Sequence, residues 1–199
     1  MDFSLKLVLV ELFAYLCGSI PFGLIISKLV KNIDIREYGS HNIGSTNVAR
    51  TLGKKWGALV LLLDGLKAVV ALLVAKYFYG NNEIILATTT FVAVCGHIFS
   101  AWLDFKGGKG IACILFSLFV LDYRLGLLFL GTWILVFLLS KISALSALTA
   151  MLVVSVASFF VSVNYFIMMI VLSILTFYKH KENIKRIISG EELKFKKNK

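Results

Sequence analysis

From Ile111 to Tyr178 the chain is almost wholly apolar, and a small water-soluble domain has nowhere to bury that much contiguous hydrocarbon. Breaks fall near Asp122-Tyr123-Arg124, at Lys141 and near Asn164. They cut the stretch into four helices of roughly 12–20 residues, close to the length that crosses a bilayer, with the first shorter than a full crossing. Composition points the same way. Hydrophobic residues make up 59% of the 199 and charged residues 16%, against about 45–50% and about 25% in a soluble domain. Lipid is the solvent that such a chain requires. A disordered chain, a coiled coil and a small disulfide scaffold are excluded.

Three more apolar stretches precede this one: Leu5 to Val30, Trp56 to Tyr79 and Glu83 to Leu103. The first holds Gly18-Ser19-Ile20-Pro21, with the chain's one proline, which predicts a kink or break. Its apolar run extends far past a signal-peptide core and lacks a basic flank and a cleavage site, so it reads as a first spanning helix. The expectation is an all-α polytopic membrane protein with seven transmembrane helices, forming a single integral membrane domain over 1–199. Polar loops lie near 31–55 and 104–110, and a polar basic tail covers 179–199. Cys17, Cys95 and Cys113 form no C-x-x-C pair and read as packing residues.

The net charge is +10. With the loop after the first helix placed inside, the inner set comprises Lys28, Lys31, Arg36, Arg50, Lys54, Lys55, Lys106, Lys109, Lys141 and eight basic residues of the tail. That is seventeen of the 21. Lys6, Lys76 and Arg124 fall outside, and Lys67 lies within the second helix. The excess of inner positive charge predicts an outer N-terminus and a cytoplasmic C-terminus. All three polar segments then share one face.

The first of these segments, Tyr38-Gly-Ser-His-Asn-Ile-Gly-Ser-Thr-Asn-Val-Ala-Arg50, gathers small donors, two glycines and an arginine. Glycines let backbone N–H groups converge on an anion, and an arginine grips phosphate in a two-point fork. A solvated turn is the plainer alternative. The second, Phe105-Lys-Gly-Gly-Lys-Gly110, opens an apolar helix. It suits a phosphate at a helix N-terminus or a basic anchor at the membrane flank. It is not a Walker A loop, whose spacing differs. In the third, His180 and Asn183 are three apart and share a helix face. His180 suits a general base, a proton donor or a phosphate donor, and the segment equally suits an interfacial amphipathic helix.

Asp64 and Lys67, three apart inside an apolar helix, read as a structural or a catalytic pair. His97 reads as a packing histidine or a catalyst, and Ser143 and Ser146 as phosphate donors or helix caps. Histidines and carboxylates are too few and scattered for a metal centre. No G-x-S-x-G elbow occurs. No H-x-x-x-x-D box occurs either, since Thr46, Trp102 and Lys185 stand where its aspartate would follow His41, His97 and His180. Short basic loops with few aromatics argue against nucleic acid. On residues alone, a membrane transporter of phosphorylated metabolites stays open beside an interfacial enzyme.

Taken in order, these segments resemble the acyl-phosphate:glycerol-3-phosphate acyltransferases, the PlsY family of bacterial membrane enzymes. Gly18-Ser-Ile-Pro21 resembles the family's helix 1 signature, and residues Gly39 to Arg50 resemble its G-S-G-N-x-G-A-T-N-x-x-R motif. Asp64-Gly-Leu-Lys67 is similar to its D-x-x-K, and Gly96-His97 with Phe105 to Gly110 to its G-H…F-K-G-G-K-G. His180 to Arg186, then Gly190 to Glu192, are similar to its H-x-x-N-I-x-R…G-x-E tail. His41 stands where the motif has glycine, Ser45 where it has alanine, Ser100 where proline is usual, and Cys113 where threonine is usual. A Cβ at position 41 restricts a backbone nest.

The resemblance implies a seven-helix fold. It implies acyl transfer from acyl phosphate to the 1-hydroxyl of sn-glycerol 3-phosphate, giving lysophosphatidic acid and phosphate. It implies neither cofactor, metal nor acyl-CoA. Ser40, Arg50, His180 and Asn183 are the catalytic residues it implies. Asn42, Gly44, Thr46, Asn47, Gly107, Gly108, Lys109 and Gly110 are its phosphate-binding residues, and Glu192 its structural glutamate. The partners it implies are acyl phosphate, sn-glycerol 3-phosphate and membrane lipid, with functional coupling to a soluble enzyme that makes acyl phosphate. The site would face the cytoplasm from a bacterial inner membrane.

Overall fold

The break predicted at Pro21 organises the N-terminal part of the molecule. The computed structural model describes residues 3–195; Lys196, Lys197 and Lys199 of the basic tail lie outside them. Among the described residues the regular elements are ten α-helices and two short 3-10 turns. They fall in two compact units, Met1–Leu121 and Asp122–Lys199.

The first unit holds α1 (Phe3–Ser19), α2 (Phe22–Lys31), α3 (Ser45–Leu52), α4 (Lys54–Tyr79), α5 (Glu83–Ile98) and α6 (Ile111–Leu121). Proline has no N–H and its ring clashes with the carbonyl four residues back, so the helix must stop before it. The carbonyls freed at the break find other donors. Ser100 Oγ donates to Ser19 O at 2.6 Å, and Lys67 Nζ to Ile20 O at 2.7 Å. Small residues let α1 and α5 touch backbone to backbone: a Cβ on Gly18 would overlap Ala93 O, and one on Gly96 would overlap Tyr15 O. This is how helices pack where lipid supplies no hydrophobic drive. Gly57 does the same for α3 against α4 at Ala49, and Gly65 seats the Phe116 ring of α6 on α4. The last residues of the third predicted stretch depart from helix. After α5, Ser100 turns the chain to bond Ser19, and Ala101–Leu103 forms a 3-10 turn.

The second unit holds α7 (Tyr123–Ser140), α8 (Ser143–Ser158), α9 (Val163–Lys179) and α10 (Lys181–Ile188). Its boundaries follow the predicted breaks. Asp122 caps α7 by accepting from Arg124 N, Lys141 ends α7 in a left-handed conformation, and Ser162 caps α9. Ser155 Oγ and Ser173 Oγ join α8 to α9 at 2.8 Å. The chain bends by 64° between α9 and α10. Phe195 then returns to the α7–α8 turn, its N–H donating to Lys141 O.

Four stretches are long and apolar enough to cross a membrane: Phe3–Lys31, Lys54–Tyr79, Glu83–Leu103 and Tyr123–Ser140. The bent pair α9–α10 makes a fifth if counted as one span. The apolar helices α6 and α8 are shorter. Seven apolar helical segments are therefore present where they were expected, but by length and composition only four or five of them reach across. Large exposed side chains such as Leu29, Tyr77 and Leu139 cover the helix surfaces, whereas buried helical positions are rich in Ala, Gly, Ser and Thr.

Candidate active site

The first polar segment is pinned from below by apolar residues. Ile35, Ile43 and Val48 are buried with Val60 of α4 and Leu103. Above them Asn47, on the first turn of α3, is a hub. Its Nδ2 donates to Ile35 O, Tyr38 O and Asn42 O at 2.9–3.1 Å, and its Oδ1 accepts from Ser40 N at 2.9 Å. Gly39 is at φ +59 beside it, where a Cβ would overlap Asn47 Oδ1. Asn42 Oδ1 accepts from Gly44 N at 2.9 Å. The amide of Asn47, the Asn42 carbonyl oxygen and the Gly44 N–H are thus spent inside the loop. These bonds organise the loop, as a buried amide must satisfy its own hydrogen bonds. Thr46 and Arg50 are four apart on α3 and share a face, both half-buried. Ser40 is half-buried on the preceding turn.

His41, the residue in the motif's glycine position, has φ 55. That left-handed backbone strains a residue with a Cβ. Its ring compensates, with Nδ1–H donating to Arg36 O at 2.9 Å. Arg36 in turn forks onto Asp34, with Nε and Nη2 donating at 3.0 and 2.6 Å. That side-chain hydrogen bond pulls the Asp34 carboxyl down to about 2.

The glycine–lysine loop is held differently. Gly107 N–H donates to Ile98 O and Gly108 N–H to His97 O, at 3.0 and 2.9 Å. A Cβ on Gly107 would overlap His97 O, and one on Gly108 the Nε2 of the His97 ring. Both glycines are there for close contact with α5, and their N–H groups are already used. Asp104 and Phe105 are consecutive left-handed residues with side chains, at φ 50 and 60. Such strain collects where a fold over-determines a loop. Half-buried Lys109 and buried Gly110, at φ +86, lead directly into α6. The first N–H groups of that helix have no helical carbonyl before them and carry its positive dipole end.

Beneath this loop lies a buried polar cluster. Lys67 Nζ donates to Asp64 Oδ1 at 2.8 Å and to His97 Nδ1 at 3.0 Å. Cys113 Sγ reaches Asp64 O at 3.1 Å. The 64–67 pairing was legible from spacing. Its junction with His97, thirty residues away, was not.

In the second unit His180 is buried at the α9–α10 bend, and its Nδ1–H donates to Thr176 O at 2.8 Å. The neutral ring therefore carries its lone pair on Nε2. Asn183 is buried on α10 and donates to Glu192 Oε1 at 2.8 Å, while Arg186 Nε donates to Glu192 Oε2 at 2.8 Å. Glu192 thus fastens the chain after α10 onto that helix. Ser146 Oγ bonds back to Ile142 O, which makes it a helix-start residue rather than a phosphate donor. Among the described residues no three His, Cys, Asp or Glu converge as a metal site.

A family model described as glycerol-3-phosphate acyltransferase matches residues 8–190. A glycerol-3-phosphate acyltransferase of Wolbachia pipientis from Culex pipiens is 42% identical over 187 residues, covering 94% of this chain and 97% of the relative. One from Pelagibacter ubique is 44% identical over 193 residues, covering 96% and 99%. Two solved structures of an integral membrane glycerol 3-phosphate acyltransferase, PlsY (YgiH), are similar in fold, each at 38% identity. The glycerol 3-phosphate form superposes with a TM-score of 0.91 over 96% of both chains. The lysophosphatidic acid form gives 0.88 over 96% of this chain and 95% of that one.

Proposed function

The chain belongs to the glycerol-3-phosphate acyltransferase family of integral membrane enzymes, and from that premise we propose how its own residues carry the reaction. The enzyme acylates glycerol 3-phosphate to lysophosphatidic acid. We assign acyl phosphate as the donor and the 1-hydroxyl as the acceptor. The observation that carries this reading is Lys109 with Gly110 at the dipole-positive start of α6, in a loop held rigidly against α5. Phosphate is the ligand such a helix start suits.

Acyl phosphate is a mixed anhydride and already activated, so no covalent enzyme nucleophile is needed. The 1-hydroxyl oxygen attacks the acyl carbonyl, the tetrahedral oxyanion collapses, and the carbon–oxygen bond to phosphate breaks. Phosphate departs with the bonding pair. Catalysis then rests on alignment and on donors aimed at the developing charge. Arg50 and Thr46 on their shared face of α3, Ser40 beside them, and Lys109 with the α6 N-terminus are the donors we assign. A phosphate oxygen of a substrate accepts the hydroxyl proton. His180 is the alternative acceptor, and Asn183 accompanies it, on the strength of the family resemblance.

For topology we propose seven crossings by one enzyme domain, with an outer N-terminus, a cytoplasmic C-terminus and a cytoplasmic site in a bacterial inner membrane. Seventeen inner basic residues against three outer ones support this. The eleven residues of α6 span about 16 Å, half the hydrocarbon core. A helix that short leaves the glycine–lysine loop at its start recessed below the headgroups, where an acyl chain can lie beside it. The transporter alternative needed free polar groups deep in the membrane. Asp64 and Lys67, the pair it would have used, are spent on bonds with each other, Ile20 and His97.

The test uses purified protein with acyl phosphate, labelled glycerol 3-phosphate and a chelator. Lysophosphatidic acid is expected without added metal or acyl-CoA. Product formed from acyl-CoA and not from acyl phosphate would overturn the donor assignment.

A further inference from the structure

Lys67 sits between the two polar loops of the first unit and belongs to neither. Its side chain is 3% exposed and that of Asp64 2%. A buried charge survives only when it is paired and its remaining protons are bonded. Lys67 meets this fully, for its three protons have three acceptors: Ile20 O, Asp64 Oδ1 and His97 Nδ1. Two of these acceptors lead outward to the loops.

Ile20 O is a carbonyl freed by the Pro21 break. Just beyond the break, Gly23 of α2 lies so close to Ile43 that a Cβ would overlap its carbonyl oxygen. Ile43 is one of the apolar anchors under the loop that carries Arg50. In the other direction His97 supports the loop that carries Lys109. Its carbonyl accepts the Gly108 N–H, and its ring packs where a Gly108 side chain would be. Because Nδ1 accepts from Lys67, the neutral ring holds its proton on Nε2, the atom facing Gly108. One ammonium group therefore reaches both loops through rigid contacts.

We propose that Lys67, held by Asp64, is a positioning residue that sets the separation of the Arg50 and Lys109 loops, and so the alignment of the glycerol hydroxyl with the acyl carbonyl. This rests on the phosphate-binding reading of those loops. A tie of this kind acts on turnover. Each loop still binds its own phosphate, but a misplacement of about 1 Å between reacting atoms costs on the order of a hundredfold in rate. A tie that only stabilised the fold would lower the melting temperature and leave turnover per folded molecule unchanged.

The experiment uses the full chain in detergent and first requires the parent to make lysophosphatidic acid. A parent without that activity overturns the proposed function itself, and the remaining outcomes bear on Lys67 alone. Asp64→Leu with Lys67→Met removes the pair without stranding a charge. We expect kcat to fall about a hundredfold, with KM for glycerol 3-phosphate within about threefold of the parent. Asp64→Asn with Lys67→Gln keeps an amide donor for Ile20 and His97, and is expected to recover to within about tenfold of the parent. A kcat within about threefold of the parent in the Leu/Met protein overturns the proposal, and so does a loss confined to KM. If the Leu/Met protein does not fold, His97→Phe decides. It keeps a ring under Gly108 but accepts nothing from Lys67. A kcat loss supports the proposal, and an unchanged kcat overturns it.

Discussion

The two polar loops of the first unit reach rigidity by opposite means. The Tyr38–Arg50 segment is organised by a side chain: Asn47 gathers three carbonyls and one N–H around its amide. The 106–110 segment is organised by the absence of side chains. Two glycines lie directly on α5 and pass their N–H groups to its last carbonyls. A hub tolerates some neighbouring change, since its bonds are many and its partners are backbone. A contact made of bare backbone tolerates none, because one methyl group has nowhere to go. Both devices fix the loops that carry Arg50 and Lys109, the cationic groups we assign to substrate phosphate.

This contrast is sharpest at Gly108. Gly108→Ala drives a Cβ into the His97 ring, itself held by Lys67. Turnover is expected to fall by a hundredfold or more, on the order of what a 1 Å displacement costs, read as initial rate per folded enzyme. Asn47→Ala should act more on stability than on chemistry. It strands Ser40 N and Asn42 O, at about 1–3 kcal/mol for each buried group left unsatisfied, and takes one of two donors from Ile35 O and Tyr38 O. Thermal unfolding in detergent should show a clear drop in midpoint. An equal loss at both sites in turnover, with no loss of stability at Asn47, would erase the distinction.

Smaller effects test the first loop's strain. At His41 the backbone is left-handed and the ring bond to Arg36 O offsets part of its cost. His41→Gly relieves the strain while losing the bond, and His41→Ala loses the bond and keeps the strain. Glycine should be the more stable of the two by about 1 kcal/mol, measured by chemical denaturation. The smallest effect is at Asp34. Its carboxyl is held down at about 2 by Arg36, so its contribution is present above the ordinary carboxylate range and is lost as the pH falls from about 4 towards 2. The pair is exposed enough that only a few tenths of a kcal/mol are at stake. Asp34→Asn should flatten that acid limb and leave stability at neutral pH almost unchanged.

Much of this was legible in the residues. The helix segments followed from apolar stretches and their breaks: Pro21, Asp122 and Lys141 all end or cap helices where their chemistry says they should. The resemblance carried by these ordered motifs pointed to the acyltransferase family. Within the motifs the bonding partners were not legible: the amide of Asn47 and the N–H groups of Gly44, Gly107 and Gly108 bond to partners that local spacing does not reveal. Nor does hydropathy by itself fix the number of crossings, because it marks α6 and α8 as apolar while their helices are shorter than a full span.

The sequence by itself determined the solvent, the helical class, the order of the segments and the concentration of positive charge in the loops. Each of these is set by local composition and by period, which the chain carries residue by residue. Only the tertiary structure decided which donors are spent and which are left over. The three acceptors of Lys67, the seat of Gly108 on His97 and the hub at Asn47 are choices among polar groups that are chemically alike. What selects between them is which carbonyls the packing of α1, α4 and α5 leaves without a partner in a low-dielectric interior, where every such group must find one.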